Sequence, residues 1–174
     1  LISLSYDKDN PLSWKAIEAM GHVAKAHVSA QDIEPLRNTI RKLLWSMTDE
    51  SGGIGWRAAE LIGEIIYAEP SLFSDIIPIL WSQREEGSFL ESVLRSMIKL
   101  SNKINLSDYI KINKEELENL LIHENDEIKA LAAILISKIK SHIPIPEDIK
   151  NIILSVYTRG NIIKLKTSKA EKFL

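Results

Sequence analysis

Trp56-Arg57-Ala58-Ala59-Glu60-Leu61-Ile62-Gly63-Glu64-Ile65 repeats Trp14-Lys15-Ala16-Ile17-Glu18-Ala19-Met20-Gly21-His22-Val23 at a distance of 42 residues. Trp, Ala, Glu and Gly recur in step, and that match decides the fold class. A second pair is Leu43-Leu44-Trp45-Ser46 against Ile79-Leu80-Trp81-Ser82, 36 residues apart. Two helix types therefore alternate, an A type opening at Trp and a B type closing near Leu-Trp-Ser. Weaker copies follow: Glu91-Ser92-Val93-Leu94-Arg95-Ser96-Met97-Ile98 and Ile128-Lys129-Ala130-Leu131-Ala132-Ala133-Ile134-Leu135 continue the A series. Lys114-Glu115-Glu116-Leu117-Glu118-Asn119-Leu120-Leu121 supplies another B helix. Spacings of roughly 35 to 42 residues are those of two-helix solenoid repeats, in which each unit buries its apolar face only against its neighbours.

The apolar periodicity agrees. Leu36, Ile40, Leu43, Leu44 and Met47 form one stripe of a 3.6-residue helix, as do Phe73, Ile76, Ile77 and Leu80. Gly21 and Gly63 fall mid-helix, where glycine costs about 1 kcal/mol relative to alanine; close helix packing at a shared repeat position compensates. The extra length of the first repeat lies around His27-Val28-Ser29-Ala30-Gln31-Asp32. Residues 1–6 and the acidic turn after them resemble 120–123 and the turn that follows, so the chain reads as starting at the end of a B helix. A first residue of Leu rather than Met points to missing upstream residues.

Pro144 and Pro146 stop the fourth A helix. Beyond them, 152–158 and 162–167 are β-branched runs around Arg159-Gly160-Asn161, the pattern of a hairpin. A continued B helix over 147–157 is the rival reading. The domain plan is one repeat domain over 1–174: the end of a preceding helix (1–10), repeats at 11–48, 55–83, 88–123 and 126–151, and a hairpin or tail over 152–174.

The bulk properties exclude several classes. With 174 residues, 45% hydrophobic and 26% charged, the chain is of globular composition and long enough for a core. A formal net charge of −2 gives no field to recruit nucleic acid. The absence of cysteine removes disulfides, thiolate catalysis and cysteine zinc sites, and fits a cytoplasmic protein. No apolar run approaches the ~20 residues that span a bilayer, and no signal-peptide layout opens the chain.

At this point the residues resemble a family. Trp14-x-Ala-Ile-x-Ala-x-Gly, Glu50-Ser51-Gly52-Gly53-Ile54-Gly55-Trp56 with Glu60 and Gly63-Glu64-Ile65, then Phe89-Leu90, look like the HEAT-repeat superfamily, and within it a small uncharacterised prokaryotic HEAT-like family. This chain has Ala59-Glu60 where that family's pattern has Pro-Glu. The resemblance implies stacked antiparallel helix pairs of the armadillo type, and no assigned activity.

Three groups of residues bear on function. The first is the glycine-rich loop Asp49-Glu50-Ser51-Gly52-Gly53-Ile54-Gly55-Trp56 running into Arg57 and Glu60. It lacks the Lys-Ser/Thr of a phosphate-binding loop and no strand precedes it, so it reads as a tight structural turn or as a rigid recognition surface. The second is a series of acidic turns, Asp7 and Asp9, Asp49 and Glu50, Glu85 and Glu86, then Glu124, Asp126 and Glu127. These acids either cap the A helices or form a ridge for a basic partner. The third is Glu18 and His22 at i, i+4, with Glu60 and Glu64 at the equivalent positions one repeat later. They read as an interhelical polar ladder or as a carboxylate–histidine metal site. Metal-dependent HEAT-like hydroxylases use repeated His-Glu dipeptides, and here only His123-Glu124 matches. The four tryptophans, at repeat-equivalent positions, read as core. The basic residues Arg159, Lys164, Lys166, Lys169 and Lys172 read as a solvated tail.

The sequence thus predicts an all-α, right-handed solenoid of about 3.5 HEAT-like pairs, ended by a small C-terminal β-hairpin in the first of the two readings above. The expected function is a non-enzymatic protein-interaction or scaffold module with no cofactor and no metal. Its contact surface would be Asp49, Glu50, Ser51, Gly52, Gly53, Gly55, Trp56, Arg57 and Glu60. The alternative is an enzyme or enzyme subunit with a small site at Glu18, His22, Glu60 and Glu64.

Overall fold

The computed structural model describes residues 1–6, 10–48 and 57–174. The chain is mostly helical, with one small antiparallel sheet near its C-terminal end. After a single 3-10 turn (Ile2–Ser5), the helices are α1 (Pro11–Ser29), α2 (Glu34–Thr48), α3 (Ala58–Ala68), α4 (Ile76–Ser82), α5 (Leu90–Ser101), α6 (Lys114–Leu121), α7 (Asp126–Lys138) and the one-turn α8 (Glu147–Lys150). Strands β1 (Ile153–Thr158) and β2 (Asn161–Lys166) follow, and then a last helical turn, α9 (Thr167–Ala170).

The A-type helices pack in series, α1 on α3, α3 on α5 and α5 on α7, while α2 packs on α3 and α6 on α7. The sequence pattern explains the layering. Leu36, Ile40, Leu43 and Met47 of α2 are buried and Leu44 is half-buried, as the single stripe requires. Helix α3 has neighbours on several sides, so nearly its whole surface is buried, from Ala58 through Ile66. A helix enclosed on all sides is expected to be apolar all round, which makes the two glutamates it carries unusual.

Gly63 is a point of close contact between α3 and α5. A Cβ built there would lie 2.9 Å from both Cβ and Oγ of Ser96. Gly21 does the same between α1 and α3, where the Glu64 carboxylate occupies the space of the missing side chain. The shared glycine position is therefore a contact surface between stacked helices. The longer first repeat is explained in part by α1, which runs to Ser29, eight positions past Gly21, whereas α3 ends at Ala68, five past Gly63.

Among the described residues, asparagine caps three helix starts, while Asp7, Asp9, Asp49 and Glu50 of the acidic turns lie outside the described residues. Asn10, Asn113 and Asn125 each accept a hydrogen bond from the backbone N–H two residues on, at 2.9, 3.1 and 2.8 Å. Asp126 and Glu127 follow the last of these in the first turn of α7, where they complement the helix dipole. Glu127 also reaches back to Arg95 of α5, so it is not free to form a ridge for a partner.

Of the two readings of the C-terminal region, the hairpin is the one found. The helix stops after one turn at Lys150, and Ile153 pairs with Lys166 through to Thr158 with Asn161. The two-residue turn has positive φ at both centres, 48° at Arg159 and 83° at Gly160, the pattern of a type I′ turn. The basic side chains of Arg159, Lys164, Lys166, Lys169 and Lys172 are exposed, as expected of solvated residues, but the backbone that carries them is packed on the fold. Leu154 and Val156 are buried, Thr167 and Ala170 are buried, and Ser137 donates to Glu171 Oε1 at 2.7 Å.

Candidate functional site

The stacking of α1, α3 and α5, together with the hairpin and residues 173–174, encloses a cleft of about 510 Å³. Its walls begin with Trp14 of α1. That half-buried indole stacks on Tyr157 of β1, ring centroids 6.0 Å apart and planes 8° apart. The Tyr157 hydroxyl donates to Glu18 Oε2 at 3.1 Å, and both contacts bridge the first helix to the hairpin. The guanidinium carbons of Arg57 and Arg95 lie 4.0 and 5.2 Å from the Trp14 ring centroid, cation–π contacts that hold the indole in place.

Below the aromatic wall is a buried ionic network joining three helices. Arg57 donates to Glu60 Oε1 at 2.8 Å, with 3% and 6% of the two side chains exposed. Ser92 of α5 donates to the other Glu60 oxygen. Lys99 of α5 pairs with Glu64 of α3. Arg95 of α5 pairs with Glu91 at 3.1 Å through Nε and with Glu127 of α7 through Nη2. Each α3 carboxylate is thus bonded to α5, and α5 to α7, which is how an apolar interface accommodates charge.

Burial sets the proton affinities. Desolvation pushes the Glu60 carboxyl above its ordinary value, against the opposing pull of Arg57 and Arg95. Desolvation likewise raises Glu64, with Lys99 opposing and the nearby Glu18 carboxylate adding to the rise. For Arg95, burial works against the charged form, but Glu91, Glu127 and Glu60 outweigh it and the net shift is upward, so the guanidinium stays charged.

The sequence-predicted residues separate in space. Glu18, Glu60 and Glu64 line one cleft, whereas His22 is exposed and outside its lining. The four-residue carboxylate–histidine constellation is therefore not assembled: i, i+4 spacing keeps Glu18 and His22 on the same side of α1, but only Glu18 faces the hairpin. Among the described residues, no group of three or more His, Asp or Glu is placed to hold a metal ion. Of the predicted contact surface, residues 49–56 (Asp49, Glu50, Ser51, Gly52, Gly53, Gly55 and Trp56 among them) lie outside the described residues. Arg57 and Glu60 are described, and both are buried, so neither can serve as an exposed contact for a partner. Their pairing with each other and with Ser92 accounts for that burial.

Among the described residues, Trp45 departs from the expected core role; Trp56 lies outside them. Trp81 is buried beneath Arg84, whose guanidinium carbon lies 4.3 Å from its ring centroid, but Trp45 at the equivalent position is 69% exposed. Arg84 is held over Trp81 by Glu116 of α6, and the residue three positions after Trp45 is Thr48, whose hydroxyl turns back to the Trp45 carbonyl.

Sequence reasoning missed Arg95, Lys99 and Tyr157. A signal existed for the first: Arg95 interrupts the otherwise apolar and small run Ser92-Val93-Leu94-Arg95-Ser96-Met97-Ile98 on a helix that is to be buried. None existed for Tyr157, since its partner Trp14 is 143 residues away. Among the described residues no helix is long and apolar enough to cross a membrane. Comparison of the chain with protein-family models, curated proteins and solved structures finds no match in any of the three.

Proposed function

We propose that the chain is a non-enzymatic protein-interaction module of the cytoplasm, built as a right-handed α-solenoid of about 3.5 HEAT-like pairs. The single observation that carries this reading is Trp45, a large aromatic side chain 69% exposed on α2 at a position whose repeat equivalent is core. Tryptophan is enriched among the residues that dominate binding energy at protein interfaces. Helix α2 ends at Thr48, so Trp45 stands one turn before the glycine-rich segment 49–56 in sequence. The proposed contact surface is Trp45 with that segment, and it no longer includes Arg57 or Glu60.

The test is capture of partners from native lysate with wild type, Trp45→Ser and Glu50→Lys/Trp56→Ala, all checked for unchanged helical circular dichroism. A specific protein should be retained by wild type and lost by both variants. For the partner so identified, Trp45→Ser should weaken binding by about 2 kcal/mol, roughly thirtyfold. An identical set of captured proteins from all three forms would sink the proposal.

The enzyme reading keeps one supporting observation, two buried carboxyls of raised proton affinity in a cleft. Its candidate groups are Glu60 and Glu64, with Glu18 at the rim, and His22 drops out.

A further inference from the structure

Residues 128–174 carry nine Lys and Arg against three Asp and Glu, a formal net charge of +6 in a chain whose total is −2. Residues 1–127 therefore hold −8, and the part that bears the hairpin is the basic part of an acidic chain. The hairpin is a sheet of two strands, so each strand has a paired neighbour on one side only. Its ladder has a fixed phase. Thr167 N–H donates to the Ile152 carbonyl at 2.8 Å, in the register that continues the pair Ile153–Lys166. Bonded and non-bonded pairs alternate along an antiparallel ladder. The N–H and C=O groups of Leu165, Ile163 and Asn161 accordingly face β1, and those of Lys166, Lys164 and Ile162 face away from it. Among the described residues, no other element supplies these outward groups with a partner. The cleft takes its hairpin residues from β1 and the turn, and none from β2.

The side chains of β2 alternate in the same way. Lys164 and Lys166 are exposed, whereas Ile163 and Leu165 are half-buried against the core. Lys166 donates to the neutral Asn151 Oδ1 at 2.8 Å, and among the described residues neither lysine is in an ion pair. An unpaired strand edge is a template for a further strand. Its donors and acceptors alternate, which a second peptide backbone complements; a phosphate backbone accepts only and would meet the carbonyls unfavourably. The lysines then select among strands. The same edge of a second copy would set lysine against lysine, while an acidic strand gains an opposite-charge pair at each. In antiparallel pairing, the more stable sense, a residue opposite Lys164 turns its own N–H and C=O to β2 and its side chain to the lysine's face. The residues between fall on the face of Ile163 and Leu165. We propose that the free edge of β2 binds an extended acidic segment of a partner protein as a third, antiparallel strand, with acidic residues opposite Lys164 and Lys166 and apolar residues between them.

This edge is independent of the Trp45 surface, and the two stand or fall separately. The probe is an end-blocked octapeptide of alternating Glu and Val, titrated into the whole 15N-labelled chain by two-dimensional NMR. It is expected to shift the amides of Ile162, Lys164 and Lys166 and to slow their hydrogen exchange. Three comparison ligands are expected to bind at least tenfold more weakly: alternating Lys and Val, a block of Glu followed by a block of Val, and oligothymidylate. Methylating the Glu amide nitrogens should abolish binding, and methylating the Val amide nitrogens should spare it, because only the former face β2. Lys164→Glu/Lys166→Glu should lose the acidic peptide at least tenfold and gain the basic one. The proposal is overturned if the acidic peptide leaves the three amides unmoved, or if any comparison ligand binds as tightly. It is equally overturned if the Glu-methylated peptide binds like the unmodified one, or if the double variant keeps its preference for the acidic peptide. Should that variant lose its dispersed spectrum, the methylated pair on wild type decides alone, since it leaves the protein untouched.

Discussion

Gly63 meets Ser96 across the α3–α5 interface with no room for a methyl group, since Cβ and Cα of Ser96 stand 2.9 and 3.4 Å away in addition to its Oγ at 2.9 Å. Gly63→Ala should therefore destabilise the fold by about 1–3 kcal/mol despite its better helix propensity. Urea unfolding is the check, and Gly63→Ala/Ser96→Gly should lose less than the sum of the single changes; strict additivity would refute the contact. The repeat glycines made this interface legible from sequence, because a helix interior has little other use for them. Protonation gives a second prediction at this scale. Burial raises the carboxyls of Glu60 and Glu64 above their ordinary 4.5, so the folded chain holds these protons more tightly than the unfolded one. Their contribution to stability is present below about 4.5 and is lost as pH rises through the raised folded values. Glu64→Gln cannot titrate, so the stability of wild type relative to this variant should fall as pH rises above about 4.5, the ordinary value from which Glu64 is raised. A relative stability that rises with pH would contradict the burial. That the two glutamates would be buried was not legible. A Glu in an amphipathic pattern reads as the wet side of its helix, and here the partners Lys99 and Ser92 arrive from the following repeat.

The hairpin shows what local sequence can and cannot decide at the level of an element. Its β-branched runs and Gly160 were sufficient to pose strand against helix, but its packing was not readable. Leu154 and Val156 turn toward the core while Tyr157, of opposite parity, turns to α1. Arg159 holds φ 48°, a conformation that L-residues other than Asn and Asp adopt at a cost of about 1–2 kcal/mol. Arg159→Asn makes the preferred Asn-Gly pair of a type I′ turn. It should raise stability by up to about 1 kcal/mol, seen as a higher melting temperature with the strand pairing unchanged. A lower melting temperature would mean that the arginine side chain contributes something at the cleft that outweighs the backbone term. Helix α2 is the opposite case. Its apolar stripe was fully legible, yet the exposure of Trp45 was not, because repeat equivalence with Trp81 carried no information about Arg84 and Glu116, the residues that cover Trp81.

For the whole molecule, the row α1–α3–α5–α7 is what repeat counting anticipates, a series in which each helix depends on the next. The Trp14–Tyr157 stack departs from that scheme by joining elements 143 residues apart. It should make the first helix share the stability of the last elements. Tyr157→Ala should accordingly speed amide hydrogen exchange in α1 about two- to tenfold, the equivalent of an aromatic pair worth roughly 0.5–1.5 kcal/mol. Exchange confined to the hairpin, with α1 unchanged, would show the two ends to be independent. The same contact also fixes a length. Packed helices stand about 8–10 Å apart, whereas stacked rings tolerate only about 4.5–7 Å between centroids. One more helix pair inserted between α3 and α5 would carry Tyr157 out of reach of Trp14. An open array can grow or shrink by duplicating a unit and keep all its interfaces; this chain cannot, because its clasp fits only one number of links.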